Sequence, residues 1–434
     1  MDKKEGSALA LLPILFFLII FLGSGFITGD FYAMPAVLAF LAALFVAFLL
    51  DRKHDFNEKI HIIAKGVGDD NIITMCLIFL SAGAFSGAVT AAGGVESAVN
   101  LGLSFLPPDV AVVGLFLIGC FISVSMGTSM GTIAALAPIA VGMSEKTGFS
   151  MAVCIGSVMC GAMFGDNLSM ISDTTIAAVK TQGCEMKDKF KENFFIVLPA
   201  AIVTMILFWF LTKDMNISVE AGVFNVWKVL PYLVVLIGAL AGMNVFLVLI
   251  AGTVLSLIVG VASGSIELMN IFKVAAQGPG MDGTGGIIGM YDITVISILV
   301  ACIVSLVKEM GGITFLLNFI KKRIRGRKGG ELGIAGLALL VDICTANNTV
   351  AIVMAGPIAK EISEEYDISP KRSAALLDMF TSVGQGLLPY GAQLLSAATL
   401  TGLTPYEIIP YCYYPVLMAV SGILFILIKK NRRV

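Results

Sequence analysis

The stretch GAMFGDNLSMISDTTIAA, residues 161–178, places Asp166, Asn167, Ser169, Ser172, Asp173, Thr174 and Thr175 within ten residues of one another, inside an otherwise apolar run. Carboxylates, hydroxyls and backbone carbonyls freed by a helix break together suit a hard, oxygen-seeking cation such as Na⁺, with Asp166 and Asp173 as its charged ligands. A carboxyl held away from water costs far less neutral than charged, so the same group can trade the cation for a proton. The competing reading is helix capping, with Asp166 and Ser172 as N-caps and Asp173 in a first turn. The two roles are compatible.

Two further polar clusters interrupt apolar segments. Thr128, Ser129 and Thr132 lie in VSMGTSMGTIAALAPIA (124–140), and Asn347, Asn348 and Thr349 lie in ICTANNTVAIVMAGPIA (343–359); the segments align without a gap at a spacing of 219. They read as the facing oxygen and amide sets of one site, or as plain turn and capping chemistry. Asp378 in AALLDMFTSVGQG, with Gln385 and Gln393 beyond it, and Asp342 in LALLVDICTA, are candidates for substrate binding or proton carriage. Either aspartate could instead be one partner of a buried pair with a cation that the sequence does not identify. His54 and His61 are the only histidines and sit in a charged loop, so a proton carrier in a membrane span should be a carboxylate.

These groups need a membrane around them. Hydrophobic residues make up 58% of 434, charged residues 13%, and the mean hydropathy is +0.95; a soluble domain carries about 25% charge. Many apolar stretches are long enough to cross a bilayer core of roughly 30 Å. The first apolar run lacks a small-residue cleavage site and reads as a span, not a signal peptide. The eight cysteines form no CxxC pair and read as small packing residues. No GxxxxGK[ST] or HExxH occurs, so neither an ATP-driven pump nor a metalloprotease is indicated, and no enzyme chemistry or cofactor is expected.

The 219-residue spacing extends along the chain and predicts one unit duplicated, 1–215 and 216–434. In the first unit the elements are predicted at 8–28, 33–50, 72–92, 95–106, 111–145, 150–180 and 193–212; in the second at 228–242, 244–262, 292–310, 313–323, 331–365, 370–402 and 405–428. Lysine and arginine collect in 51–65, 180–193, 321–328 and the C-terminal KKNRRV, while the matching loops one repeat away are nearly free of them. By the positive-inside rule corresponding loops face opposite sides, so the repeats are inverted and both termini cytoplasmic. The predicted fold is an all-α polytopic membrane protein. It has about ten transmembrane crossings and two opposed re-entrant hairpins, 111–145 and 331–365, each followed by a broken helix, 150–180 and 370–402. The nearly pure apolar opening spans of each half suit a scaffold and a homodimer interface, and the polar unit would slide against them as an elevator.

At GTSMGTIAALAPIA followed by GAMFGDNLSMISDTT the chain resembles the NhaC family of Na⁺/H⁺ antiporters. The resemblance implies a bacterial inner-membrane secondary transporter of the inverted-repeat, elevator-type group, exchanging Na⁺ and H⁺ across the lipid bilayer. By motif match it puts Asp166, Ser169, Ser172, Asp173 and Thr174 in the ion-binding role. The chain departs from the family pattern at Met170, where Pro is usual, and at Ala346-Asn347-Asn348-Thr349, where a tip resembling G-S-S-W is common. The family also includes carriers of small organic solutes. An Na⁺/H⁺ antiporter is therefore the leading expectation, an Na⁺- or H⁺-coupled carrier of an amino acid or carboxylate the second, and a channel or receptor the least supported.

Overall fold

Apolar runs with few charges can satisfy their backbone only internally, and in this chain they do so as helices. The structure, a computed structural model, describes residues 6–428 apart from 29–33, 106–107, 171, 214–221, 242 and 282–284. The basic run at 429–434 therefore lies outside the described residues. In the first half the helices are α1 (Leu12–Thr28), α2 (Ala36–Leu50), α3 (Phe56–Val67), α4 (Asp70–Ala91), α5 (Gly94–Phe105), α6 (Pro108–Met126), α7 (Ser129–Thr147), α8 (Met151–Leu168), α9 (Asp173–Gln182) and α10 (Met186–Thr212). The second half has α11 (Val226–Leu240), α12 (Val245–Ala262), α13 (Ile271–Gln277), α14 (Gly286–Gly289), α15 (Tyr291–Glu309), α16 (Gly312–Lys321), α17 (Gly326–Thr345), α18 (Asn348–Glu365), α19 (Pro370–Leu387), α20 (Ala392–Thr401), α21 (Pro405–Ile408) and α22 (Tyr413–Ile428). No strand occurs among the described residues.

Four single helices are long and apolar enough to cross a membrane, Ile72–Ala91, Met186–Thr212, Val245–Ala262 and Tyr291–Glu309, as is Met151–Gln182 taken through its break. Pro405–Tyr411 and Tyr413–Ile428, bent by 52°, make a sixth candidate. Large apolar side chains such as Phe45, Leu49, Leu247 and Ile258 project from α2 and α12 with half or more of their surface exposed, the pattern of a lipid-facing helix.

Helix starts recur at a fixed offset: α7 and α18, α8 and α19, α9 and α20, and α10 and α21 each begin 219 residues apart. The breaks recur as well. Gly127 and Ala346, matched at that offset, both turn the chain through the left-handed region, at φ of +67° and +48°. Glycine does this freely, whereas alanine adopts it against a steric penalty of roughly 1 kcal/mol. Thr128 and Asn347 then cap α7 and α18, accepting from the Gly131 and Val350 amides at 3.4 and 3.0 Å.

Small residues bring the elements together. Gly161 and Gly165 of α8 let α6 approach so closely that a Cβ would lie 2.3 Å from the Phe116 carbonyl oxygen and 2.5 Å from that of Cys120. Helices α7, α8 and α19 are buried along nearly their whole length, while α1, α2 and α15 share a separate apolar core through Phe17 and Phe40, whose rings stack at 3.8 Å.

Two predicted loops are largely helical. The stretch 51–65 contains most of α3, started by a capping box in which Asp55 accepts from the Glu58 amide and Glu58 from the Asp55 amide. The stretch 180–193 contains the first turns of α10, which begins at Met186, ahead of the expected 193. That earlier start has consequences for the charges it carries.

Candidate ion-binding site

All four breaks of the paired helices meet at one cavity of about 90 Å³, well above the roughly 10–15 Å³ that admits a single water. Its lining includes Thr128 and Ser129 from the α6–α7 break, Asp166, Ser172, Asp173 and Thr174 from the α8–α9 break, Asn347, Asn348 and Thr349 from the α17–α18 break, and Gln385 and Gln393 flanking the α19–α20 break. Thr74, Met75 and Ile78 of α4 close one wall. Asp166 is 4% exposed. Its Oδ2 accepts from the Ser129 hydroxyl at 2.8 Å and its Oδ1 from the Ser172 hydroxyl at 2.6 Å. Ser172 gives its proton to Asp166, so the 2.9 Å contact with Thr174 is donated by Thr174. Gln393 donates to Ser129 at 3.3 Å, tying the second half of the chain to the first through the same carboxylate.

Among the described residues, no Lys, Arg or His lines this cavity. Two hydroxyl donors orient Asp166 while leaving lone pairs on both its oxygens, and hydroxyls, amides and Asp173 surround the space. The Oε1 atoms of Gln385 and Gln393 are buried without a hydrogen-bond partner. Buried acceptors in native proteins nearly always have a donor or cation. The arrangement can therefore hold a partly dehydrated monovalent cation.

Several expected site residues lie elsewhere. Thr132 donates to the Thr128 carbonyl within its own helix. The amide of Asn167 donates to the Met163 carbonyl and the Met418 sulfur. Ser169 is buried at the end of α8, and neither it, Asn167 nor Thr132 lines the cavity. Asp166 sits in the last turn of α8, so it is not a helix N-cap; Ser172 holds the N-cap position of α9, and Asp173 its first turn.

Asp378 also lies outside the lining, and its cation is Lys189. The Lys189 ammonium, on a side chain 1% exposed, donates to Asp378 Oδ2 at 2.5 Å, to Thr175 Oγ1 at 2.8 Å and to the Asn167 carbonyl at 2.9 Å. Asn193, one helical turn on, donates to that same carbonyl at 2.7 Å. Together Lys189 and Asn193 bind the end of α8, the start of α9 and the middle of α19 to α10. A second buried network joins Arg372 to Glu331 at 2.9 Å and to Glu192 at 3.4 Å. The sequence allows Asp378 a buried cationic partner without identifying Lys189, and Lys189, Glu192, Glu331 and Arg372 look there like charges in or beside the loops.

A larger cavity, about 810 Å³, lies between α3 and α15 and is lined by both histidines, Lys65 and Lys308 among others. It reaches Thr345 and Asn347, so Asn347 lines both cavities.

A multi-pass helical chain with paired helix breaks around one buried carboxylate has the character of a secondary transporter. The sequence profile of the Na⁺/H⁺ antiporter family matches residues 7–213 and again 209–429, and the chain belongs to this family. It is 24% identical over 432 residues to the malate-2H⁺/Na⁺-lactate antiporter of Bacillus subtilis (strain 168), covering 93% of this chain and 92% of that one. It is 23% identical over 397 residues to the Na⁺/H⁺ antiporter NhaC of the same organism, covering 85% and 87%. The arginine/ornithine antiporter ArcD of Halobacterium salinarum (strain ATCC 700922 / JCM 11081 / NRC-1) is 22% identical over 365 residues, covering 76% and 74%. Among solved structures, the Alcanivorax borkumensis YdaH transporter is similar over 95% of this chain and 97% of its own, at 15% identity and a TM-score of 0.45.

Proposed function

We propose that this membrane antiporter exchanges Na⁺ for H⁺ at the cavity around Asp166. The observation that carries the reading is a buried carboxylate held by two hydroxyls in a cavity whose polar lining is hydroxyls, amides and Asp173, with no cationic side chain among the described residues. A cation entering there supplies the positive charge that the carboxylate lacks, and a proton can take its place. Purified protein in liposomes holding a pH gradient should collapse that gradient when Na⁺ is added. If Na⁺ never does so while an amino or carboxylic acid does, the reading is wrong.

The second reading is exchange of a small organic solute. It is favoured by the amides of Asn347, Asn348, Gln385 and Gln393 in the cavity lining and by the malate/lactate and arginine/ornithine names among the relatives. The absence of a lining cation favours a cationic solute over a dicarboxylate. The same liposomes challenged with arginine, ornithine, malate and lactate separate the cases.

The working architecture is two inverted repeats, 1–215 and 216–434, with ten crossings, two opposed re-entrant hairpins and both termini on the cytoplasmic side of a bacterial inner membrane. Support comes from the 219-residue recurrence of helix starts, the double match of the family profile and the distribution of basic loops. On this reading the larger cavity opens to the cytoplasm, and the polar helices move as an elevator past α1, α2, α11 and α12. Cysteine placed at Lys146 should be labelled only from outside the cell and cysteine at Lys360 only from inside; labelling of both from one face removes the inversion. A disulfide between a hairpin tip and α2 should stop transport, and undiminished transport through that crosslinked protein rules out the elevator.

A further inference from the structure

Beneath the second pair of breaks lies a carboxyl that the cation cavity does not use. Asp342, one turn before the α17–α18 break, is fully buried, and no ion pair among the described residues includes it. Its Oδ1 accepts from Gln385 Nε2 at 3.0 Å, and its Oδ2 has no hydrogen-bond partner. Asp378 also leaves one oxygen without a partner, but its other oxygen meets the Lys189 ammonium, whereas Asp342 has neither a cation nor a second donor.

The matching place in the first half shows what packing alone requires. At the 219-residue offset Asp342 corresponds to Ser123 and Gln385 to Asp166. A Cβ on Gly165 would meet the Ser123 Cβ at 2.5 Å, and a Cβ on Gly384 would meet Asp342 Oδ2 at 2.2 Å, so each glycine admits its polar neighbour between paired helices. Ser123 fills its place and donates to the Ala162 carbonyl at 2.6 Å. A small hydroxyl therefore suffices there, yet the second half carries a carboxyl. Each half has one acidic group at this helix crossing, in exchanged positions. Gln385 joins the two, for it holds Asp342 through Nε2 and lines the cavity that contains Asp166.

We propose that Asp342 is the proton-carrying carboxyl of the exchanger, working through Gln385 beside a cation site at Asp166. Asp342 does not line the cavity, so a proton from water there would reach its free oxygen when the paired helices part and return to water on the other side. Only O–H bonds form and break, and no electrons are transferred. The proposal rests on the Na⁺/H⁺ reading above. It differs from single-site exchange because two carboxyls divide the work.

The experiment uses the full chain in liposomes and two measurements, exchange of radioactive Na⁺ at equal pH on both sides and Na⁺ uptake driven by a pH gradient. In Asp342→Asn, tracer exchange should remain within about twofold of the unmodified protein while gradient-driven uptake falls by roughly tenfold or more. Asp166→Asn should lose both. Retained gradient-driven uptake in Asp342→Asn overturns the assignment, and so does equal loss of both activities in folded protein. Asp342→Ser, which copies Ser123, is read in the same way if the Asn variant does not fold. Carbodiimide labelling of the unmodified protein adds an arm that needs no variant. Label mapped to Asp342 with loss of gradient-driven uptake is expected, and uptake lost with no label on Asp342 counts against it. If the unmodified protein shows neither Na⁺ activity, the exchanger reading itself fails.

Discussion

Replacing Asp166 with Asn should lower Na⁺-driven collapse of a pH gradient by roughly 100-fold or more, while the protein still folds in detergent. Asn fills the same volume, and its carbonyl oxygen can still accept from one of the Ser129 and Ser172 hydroxyls, which donate to separate carboxylate oxygens at 2.8 and 2.6 Å, while the other hydroxyl must turn to accept from the new NH₂. What it removes is the buried negative charge of a cavity with no lining cation. Losing about 3 kcal/mol of cation binding corresponds to that fold-change. Ser129→Ala and Ser172→Ala leave the charge and remove one orienting donor each, worth about 1.5–3 kcal/mol when the acceptor is charged. Their effects should be smaller and should appear mainly as weaker Na⁺ dependence. Wild-type rates in Asp166→Asn would take this carboxylate out of the mechanism.

Lys189→Met should have the largest effect on stability. The substitution leaves Asp378, fully buried, without its cation, and removes donors from Thr175 and the Asn167 carbonyl. Removing one partner of a buried ion pair costs on the order of 3–5 kcal/mol. Thermal unfolding in detergent should show a markedly lower midpoint, with little folded protein recovered at the growth temperature of the host. The double variant Lys189→Met/Asp378→Leu removes the stranded charge and should regain much of the loss. Lys189→Arg should not rescue, because a planar guanidinium cannot reach three acceptors placed for a compact ammonium. An unchanged midpoint in Lys189→Met would mean that the pair contributes nothing to holding α10, α9 and α19 together.

Helix positions were legible because the signals are local. Gly127-Thr128 and Ala346-Asn347 combine a left-handed turn with a side-chain cap, and both interrupt strongly apolar runs. The residues at the cavity were legible for the same reason, since hydroxyls, amides and carboxylates clustered at a break have few other uses in a membrane. The partner of Asp378 was not. Lys189 lies in a run of six charged residues between Glu185 and Glu192, and nothing in residue type separates it from its solvated neighbours. The distinguishing feature is its spacing from Asn193, four residues apart on one helical face, which becomes visible only once α10 is known to begin at Met186. Arg372 escaped notice likewise, because its partners Glu331 and Glu192 lie far away in sequence. Asn167 and Thr132 were placed by type in the cavity, but each is turned to an internal carbonyl. Residue type alone does not give rotamer direction.

Asn347 borders the small cavity on one side and the large one on the other. The boundary between the two cavities includes this residue, whose side chain caps α18 by accepting from the Val350 amide at 3.0 Å and reaches the Met75 sulfur at 4.0 Å. Side-chain rotation takes picoseconds to nanoseconds, whereas displacement of packed helices takes microseconds to milliseconds. On the proposed exchange, breaking that one cap and turning one side chain would be a far quicker motion than shifting the helices packed around the small cavity. If the exchange takes place there, the helix shift sets the pace of turnover and Asn347 acts as the lighter of the two barriers.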